Sequence, residues 1–384
     1  MKIGFFTDTY TPQINGVVTS INTFKEQLEK NGHKVYIFAP TPKQKEDNEK
    51  IIRFPSVKFL FQPEMRVALP YSQQAVNILK KINLDIIHSH DPFSIGIFGL
   101  FMARKFNIPY LHTYHTLYPE YVHYIWDTKF TQKLAKKISK DFCNNCDLII
   151  APSTKIKKFL LEWGVSKPVK IIPTGVNLDI FKLKNNHYKQ FRSKYNISDS
   201  EKILTFVGRV AKEKNIELII ESLNYIKSKN VKLLIIGNGP HKNGLEKLAK
   251  QKGLKEKVLF LGYLPKTDVI SAYKNSEIFV FSSKTETQGL VVVEAMASGL
   301  PIVAVSDLAI KDMVKNNING YLVRTNAKDM ASKIDKLLAN DKLHKKMSNE
   351  SLLIAKELSA EKQTARLEKI YLSLIRAKKK KVKE

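Results

Sequence analysis

The sequence predicts an α/β chain of two doubly wound parallel-sheet domains. Three observations carry this expectation. Short apolar runs alternate with amphipathic stretches of helical period along the whole chain, the pattern of strands covered on both faces by crossover helices. The alternation breaks once, at the polar stretch NNHYKQFRSKYNISDSEK (185–202), and a second series then begins. At 384 residues the chain exceeds one typical core and suits two domains of roughly 150–200 residues.

In the first half the apolar runs lie at 3–6, 34–39, 85–88, 110–113 and 148–151, with amphipathic stretches such as 18–30 between them. In the second half they lie at 203–207, 231–236, 257–260, 278–281 and 301–305, and a long helical pattern covers 361–379. The expected organisation is a Rossmann-like N-terminal domain at 1–198 and a Rossmann-like C-terminal domain at 199–360. A terminal helix and basic tail at 361–384 cross back to the N-terminal domain. No short-period repeat is present. Open α/β sheets bind ligands outside the carboxyl ends of their strands. The loops after the strands of the two halves are therefore expected to face one another across a cleft.

Composition narrows the function classes. No apolar run approaches the roughly 20 residues that span a bilayer, and the longest, 94–103, is about half that. The chain opens on a strand-like KIGFF with no signal-peptide pattern. Two cysteines, Cys143 and Cys146, build no disulfide framework, which fits a reducing cytoplasm. The net charge is +28, with 13 of the excess in residues 1–200 and 15 in the remainder, so neither half is simply a basic tail. The basic residues are 56 Lys and only 8 Arg. Base readout and bidentate phosphate recognition lean on Arg, so the balance argues against a sequence-reading nucleic-acid binder. Two readings of the charge stay open: a compositional bias toward Lys, Ile and Asn, and attraction to an anionic surface such as a membrane leaflet.

Four segments carry chemistry. In TETQGLVVVEAMASGLPIVA (285–304), a helix is expected to start near Gly289 and Leu290 and to hold Glu294, with Glu286 in the loop before it. The amides of Gly289, Leu290 and Val291 then face an anion, and Gly289 allows a phosphate to approach. In GRVAKEK (208–214), Arg209 and Lys214 follow Gly208 and the first strand of the second domain. Two cations there stabilise negative charge developing on a leaving phosphate. Gly237, directly after the run at 231–236, joins them. In TDTYTPQINGVV (7–18), Gly16 opens a helix after the first strand. The fourth group is His88, His90, His112 and His115. Their H-x-H and H-x-x-H spacing suggests a metal, but no cysteine or carboxylate set completes a site, Asp91 is a lone acid and no D-x-D occurs. No metal ligands are assigned, and metal-independent chemistry is expected.

At these residues a resemblance becomes specific. The 286–294 segment resembles the E-x7-E signature of retaining GT-B-fold glycosyltransferases, glycosyltransferase family 4. GRVAKEK resembles that family's G-R-x4-K phosphate motif. IIPTGVNLDIF (171–181) resembles its end-of-first-domain motif, and TPQINGVVTSI (11–21) its N-terminal glycine loop. Asn215 departs from the glycine many members have after the lysine. The resemblance implies a GT-B fold and a nucleotide-sugar co-substrate with no further cofactor. Glu294 would lie on the nucleotide ribose, Glu286 and His115 on the donor sugar, Arg209 and Lys214 on the diphosphate, and Gly16 near the diphosphate or acceptor.

The acceptor side is read from three further segments. SVKFLFQPEMRVALP (56–70) places Phe59, Leu60 and Phe61 in an irregular loop beside Lys58 and Arg66. HTLYPEYVHYIW (115–126) adds Tyr118 and Tyr121. Phe130, Leu134, Ile138 and Phe142 then recur every four residues among Lys129, Lys133, Lys136, Lys137 and Lys140, which reads as an amphipathic helix with a basic face. NGVVTSI, PSVKFLFQPEMRVALP and HTYHTLYPEYVHYI are similar to segments of the bacterial 1,2-diacylglycerol 3-glucosyltransferases. That resemblance implies transfer of glucose from UDP-glucose to diacylglycerol with retention, by an enzyme peripheral on the inner, cytoplasmic face of the membrane. Another lipid or a soluble acceptor stays open, as does the oligomeric state. A nucleic-acid-binding protein would explain the charge but none of the motifs, and no nucleic-acid partner is expected.

Overall fold

The computed structural model describes all residues except 14, 43–47, 60–61, 122–128, 183–185 and 384. The chain divides into two units, residues 1–175 with 360–384, and residues 176–359. The first boundary therefore falls some twenty residues before the expected 198/199. The polar stretch misleads because its few apolar side chains are used in full. Phe181, Phe191 and Ile197 are buried in the core of the second unit.

The first unit holds β1 (Lys2–Phe6), β2 (Lys34–Pro40), β3 (Ile51–Phe54), the pair β4 (Ser56–Phe59) and β5 (Gln62–Ala68), then β6 (Ile86–Ser89), β7 (Tyr110–Thr113), β8 (Leu148–Ala151) and β9 (Val169–Ile171). Seven of these form a parallel sheet in the order β3-β2-β1-β6-β7-β8-β9. The period of two along each strand supplies two cores. Phe6, Phe38 and Ile87 enter one, and Phe5, Ile37 and Ile86 the other. Helix α1 (Gly16–Lys30) and the C-terminal helix (Ala360–Lys383) cover the second core, through Ile21, Phe24, Leu28, Leu367 and Tyr371. Helices α2 (Gln73–Ile82), α3 (Ser94–Lys105), α4 (Lys129–Asn144) and α5 (Thr154–Glu162) cover the first.

Where the sequence suggests an irregular loop at 56–70, β4 and β5 form an antiparallel hairpin. Arg66 ties it together, its Nε donating to Ser56 Oγ at 2.8 Å and its guanidinium to the Ser56 carbonyl at 2.6 Å. The hairpin escapes notice because the apolar run Phe59-Leu60-Phe61 interrupts the alternation and Pro63 falls within the second strand. Leu60 and Phe61 lie outside the described residues.

The second unit holds β10 (Lys202–Val207), β11 (Val231–Ile236), β12 (Val258–Gly262), β13 (Ile278–Phe281), β14 (Ile302–Val305) and β15 (Gly320–Val323), parallel in the order β12-β11-β10-β13-β14-β15. In both sheets the winding reverses beside the first strand, between β1 and β6 and between β10 and β13. Among the described residues no helix is long and apolar enough to cross a membrane.

Candidate active site

In the second unit the candidate residues gather at the reversal between β10 and β13, the place where open α/β sheets bind ligands. After β10 the chain turns at Gly208 and is pinned by the loop after β11. The Gly208 amide donates to the Ile236 carbonyl and the Val210 amide to the Asn238 carbonyl, each at 3.0 Å. Glycine is required at that junction. A Cβ on Gly237 would stand 1.9 Å from the Gly208 carbonyl oxygen, and one on Gly239 would stand 2.2 Å from that of Val210. This packing leaves Arg209 exposed.

Lys214 ends a short 3-10 turn (Lys212–Lys214), and its Nζ lies 2.6 Å from Glu286 Oε1. The sequence motifs assign these two residues to separate jobs, yet they form an ion pair with both side chains largely buried. Asn215 follows in the left-handed region with φ of 51°. That conformation explains why glycine is tolerated there and why asparagine, which also enters it, is an acceptable replacement.

Helix α6 (Leu290–Ala297) starts after Gly289, which has φ of 91°, and carries Glu294 as its fifth residue. Its first amides, including those of Leu290 and Val291, have no partner within the helix. The helix closes at Gly299 in the left-handed conformation, with the Leu300 amide reaching back to the Ala295 carbonyl. Glu294 is held by the Lys266 ammonium and lies 3.4 Å from the Tyr273 hydroxyl. Neither partner is legible in the motifs, because Lys266 is one lysine among many and sits 28 residues away in sequence.

In the first unit the reversal between β1 and β6 gathers Thr7, Asp8, His90 and Asp91. Asp8, which no motif singled out, accepts from the amides of Ile95 at 3.2 Å and Gly96 at 3.5 Å, and so caps α3 from a neighbouring loop. Burial first, and then the charge of Asp91, push its carboxyl up to about 7. Asp91 accepts from Thr7 Oγ1 at 2.8 Å, the Asp8 amide at 3.0 Å and the Tyr118 hydroxyl at 3.3 Å.

The histidines form a stacked, buried array. His90 Nδ1 meets His115 Nε2 at 3.0 Å, while His88 contacts Tyr371 Oη and Thr113 Oγ1 at 2.6 Å each. His112 Nδ1 lies 2.9 Å from Ser89 Oγ. The bonded nitrogens face one another and hydroxyls, while Nε2 of His90 and of His112 are buried without a hydrogen-bond partner among the described residues. Burial pulls all four well down, His112 and His115 to about 3. They are therefore neutral near pH 7.

The remaining expected residues are dispersed. Gly16 starts α1, where Asn15 caps the helix by accepting from the Val18 amide at 3.0 Å, and a Cβ on Gly16 would meet nothing within 4 Å. Lys58 and Phe59 belong to β4, and Tyr118 and Tyr121 bound a single helical turn. On α4, Lys133, Lys136 and Lys137 are exposed and Lys140 lies against Gly164. Phe130, Leu134 and Ile138 are exposed, but Phe142 is buried, so the expected stripe ends one residue early.

Residues 14–180 match the description of Glycosyltransferase Family 4 and residues 188–352 that of Glycosyl transferases group 1. The chain is 35% identical over 383 residues to the alpha-monoglucosyldiacylglycerol synthase of Streptococcus pneumoniae, covering 98% of this chain and 86% of that protein. It is 33% identical over 390 residues to the alpha-monoglucosyldiacylglycerol synthase of Acholeplasma laidlawii, covering 98% of each. The fold matches that of Anabaena HepE in complex with UDP with a TM-score of 0.78 at 16% identity, over 97% of this chain and all of the other. With two parallel-sheet α/β units and the E-x7-E and G-R-x4-K segments at the reversal of the second sheet, the chain belongs to the glycosyltransferases of family 4 and has the GT-B fold.

Proposed function

We propose that this glycosyltransferase moves glucose from UDP-glucose to the free hydroxyl of 1,2-diacylglycerol, giving an α-glucosyl diacylglycerol. The observation that carries the proposal is the similarity over nearly the whole chain to two alpha-monoglucosyldiacylglycerol synthases. The UDP complex of a protein with the same fold supports the choice of donor.

In the proposed reaction the bond between glucose C1 and the β-phosphate oxygen breaks, and a bond from C1 to the acceptor oxygen forms on the same face. The acceptor proton passes to the departing phosphate oxygen. Arg209, Lys214, Gly208, Gly237 and the amides of Gly289, Leu290 and Val291 take the diphosphate, whose charge grows as C1 departs. Glu294, oriented by Lys266 and Tyr273, holds the ribose hydroxyls. Glu286 and His115 position the sugar. No metal is required, because the two cations do the work of a divalent ion.

The acceptor lies in a membrane, so the enzyme is proposed to act as a peripheral protein on the cytoplasmic leaflet. The exposed Phe130, Leu134 and Ile138 and the neighbouring lysines of α4 support that placement. The test is transfer of radiolabelled glucose from a panel of nucleotide sugars to diacylglycerol in vesicles. A single labelled lipid with an α linkage, formed from UDP-glucose in the presence of EDTA, is the expected product. Label arriving only on a water-soluble acceptor would overturn the proposal.

A further inference from the structure

Helix α3 is apolar on both faces, burying Ile95, Phe98 and Met102 against the sheet. A surface helix buries its apolar side and presents polar residues to solvent. On α3 the side against the sheet includes Gly96 and Gly99, where a Cβ would strike the Asp91 carbonyl oxygen at 1.9 Å and the Phe6 ring at 2.8 Å. The outward side carries Phe93, Ile97 and Phe101, at 44%, 53% and 57% exposure. Helix α2 behaves ordinarily. The outward side of α2 is Gln73, Gln74, Asn77, Lys80 and Lys81. The contrast is not a feature of exposed apolar residues in general. Nine of the sixteen exposed large hydrophobic residues among the described ones fall between Val57 and Ile138, about a fifth of the chain.

The three side chains follow one another every four residues and span about 12 Å along the helix. Polar groups bracket them. At the near end the Phe93 ring packs edge-on to Tyr118, with centroids 5.0 Å apart, and the Tyr118 hydroxyl reaches Asp91 at the reversal of the sheet. At the far end Arg104 and Lys105 are exposed. Helix α4 is adjacent, its Phe142 ring 3.6 Å from where a Cβ on Gly96 would be, and it adds exposed Lys133, Lys136 and Lys137. No acidic residue lies on α3.

We propose that the outer face of α3 inserts into the acyl region of an anionic lipid leaflet, with Phe93, Ile97 and Phe101 among the chains and the flanking basic residues at the headgroups. Apolar side chains ringed by cations match an interface that is apolar inside and negative at its surface. A second copy of the chain is the poorer occupant. A net charge of +28 opposes self-association, and a stripe of three side chains falls far short of the roughly 800 Å² per partner of a stable interface. Insertion stands on the geometry of α3 alone. The further statement, that the stripe brings a lipid's hydroxyl to the Asp91–Tyr118 end, rests on the lipid-acceptor reading above.

Vesicle flotation of the full chain tests the insertion. Vesicles of phosphatidylcholine with phosphatidylglycerol are used at low salt and at about 1 M NaCl, where the screening length is about 3 Å. Ile97→Gln/Phe101→Gln removes exposed side chains and keeps helix formers in place. Binding of the parent should fall with salt to a residue that persists at 1 M, and the double variant should lose that residue by about tenfold or more. Equal binding of parent and variant at high salt would overturn the proposal. So would a parent dimer in sedimentation velocity that the double variant abolishes, since the stripe would then be covered by protein. Failure of glucose transfer to diacylglycerol with the salt-resistant binding intact would sink the acceptor assignment and leave the insertion standing.

Discussion

Lys214 and Glu286 are joined at 2.6 Å, whereas Arg209 stands exposed, so the two cations of the G-R-x4-K segment should respond differently to removal. Arg209→Ala should lower kcat by about 10²–10³-fold, the loss typical of one contact to charge that develops in the transition state, with no change in melting temperature. Lys214→Ala should lower kcat as well, and should also destabilise the protein by about 1–3 kcal/mol, because Glu286 is left largely buried without its cation. Steady-state kinetics beside thermal melts separate the two. A Lys214→Ala protein as stable as the parent would mean that the ion pair does not persist in solution. Glu294→Ala should raise KM for the nucleotide sugar with kcat little changed, since a hydrogen bond to ribose is made equally in ground and transition states. A normal KM with collapsed turnover would reject that role. At this scale the sequence brings out Arg209, Lys214, Glu286 and Glu294 as candidates, because their motifs follow strands. It does not show what holds them. Lys266 and Tyr273 share the helix Lys266–Lys274 and Asp8 follows β1, and their roles become visible only when the fold brings those elements to Glu294 and to α3.

Among the elements, the loops after β10 and β11 tolerate little change, because Gly237 and Gly239 leave no room for a Cβ. Gly239→Ala should force the two loops apart, destabilising the protein by about 1–3 kcal/mol and weakening donor binding, as measured by denaturant unfolding and nucleotide titration. Replacing Lys133, Lys136, Lys137 and Lys140 with Gln on α4 should weaken the salt-sensitive part of vesicle binding and leave donor affinity intact. Flotation at low salt like that of the parent would make α4 an ordinary packed helix. The central strands are legible because both of their faces are buried and they read as continuous apolar runs. β3, β9 and β15 are not, since an arginine, a length of three residues and a leading glycine each hide the signal. Helix α3 is legible as apolar, but that one of its apolar faces stays exposed is not, because hydropathy alone does not tell which face meets the sheet.

For the whole molecule, the buried histidines set the response to acid. Each of the four is neutral when folded and takes up a proton near pH 6.5 when unfolded, so stability falls as the pH drops below 6.5. Asp8 works in the opposite direction. Held near 7 when folded, it keeps its proton where the unfolded carboxyl has lost it, and its contribution fades as the pH rises from about 4 to 7. Asp91 is shifted in the same sense. The four histidines outnumber the two carboxyls that oppose them, so stability is lost on acidification between pH 6 and 5, at about 1.4 kcal/mol per pH unit for each proton of the difference. Unfolding titrations across that range should show the slope, and Asp8→Asn should steepen it. A parent whose stability is flat from pH 7 to 5 would show that the histidine array opens to water. One further consequence follows from the C-terminal helix, which completes the core of the first unit with Leu367 and Tyr371. During synthesis, residues 1–175 leave the ribosome first but must wait for 360–384, while the intervening unit is made over on the order of 10–40 s. The half that is born first is thus the last to mature, with one face of its sheet covered only by α1 in the meantime.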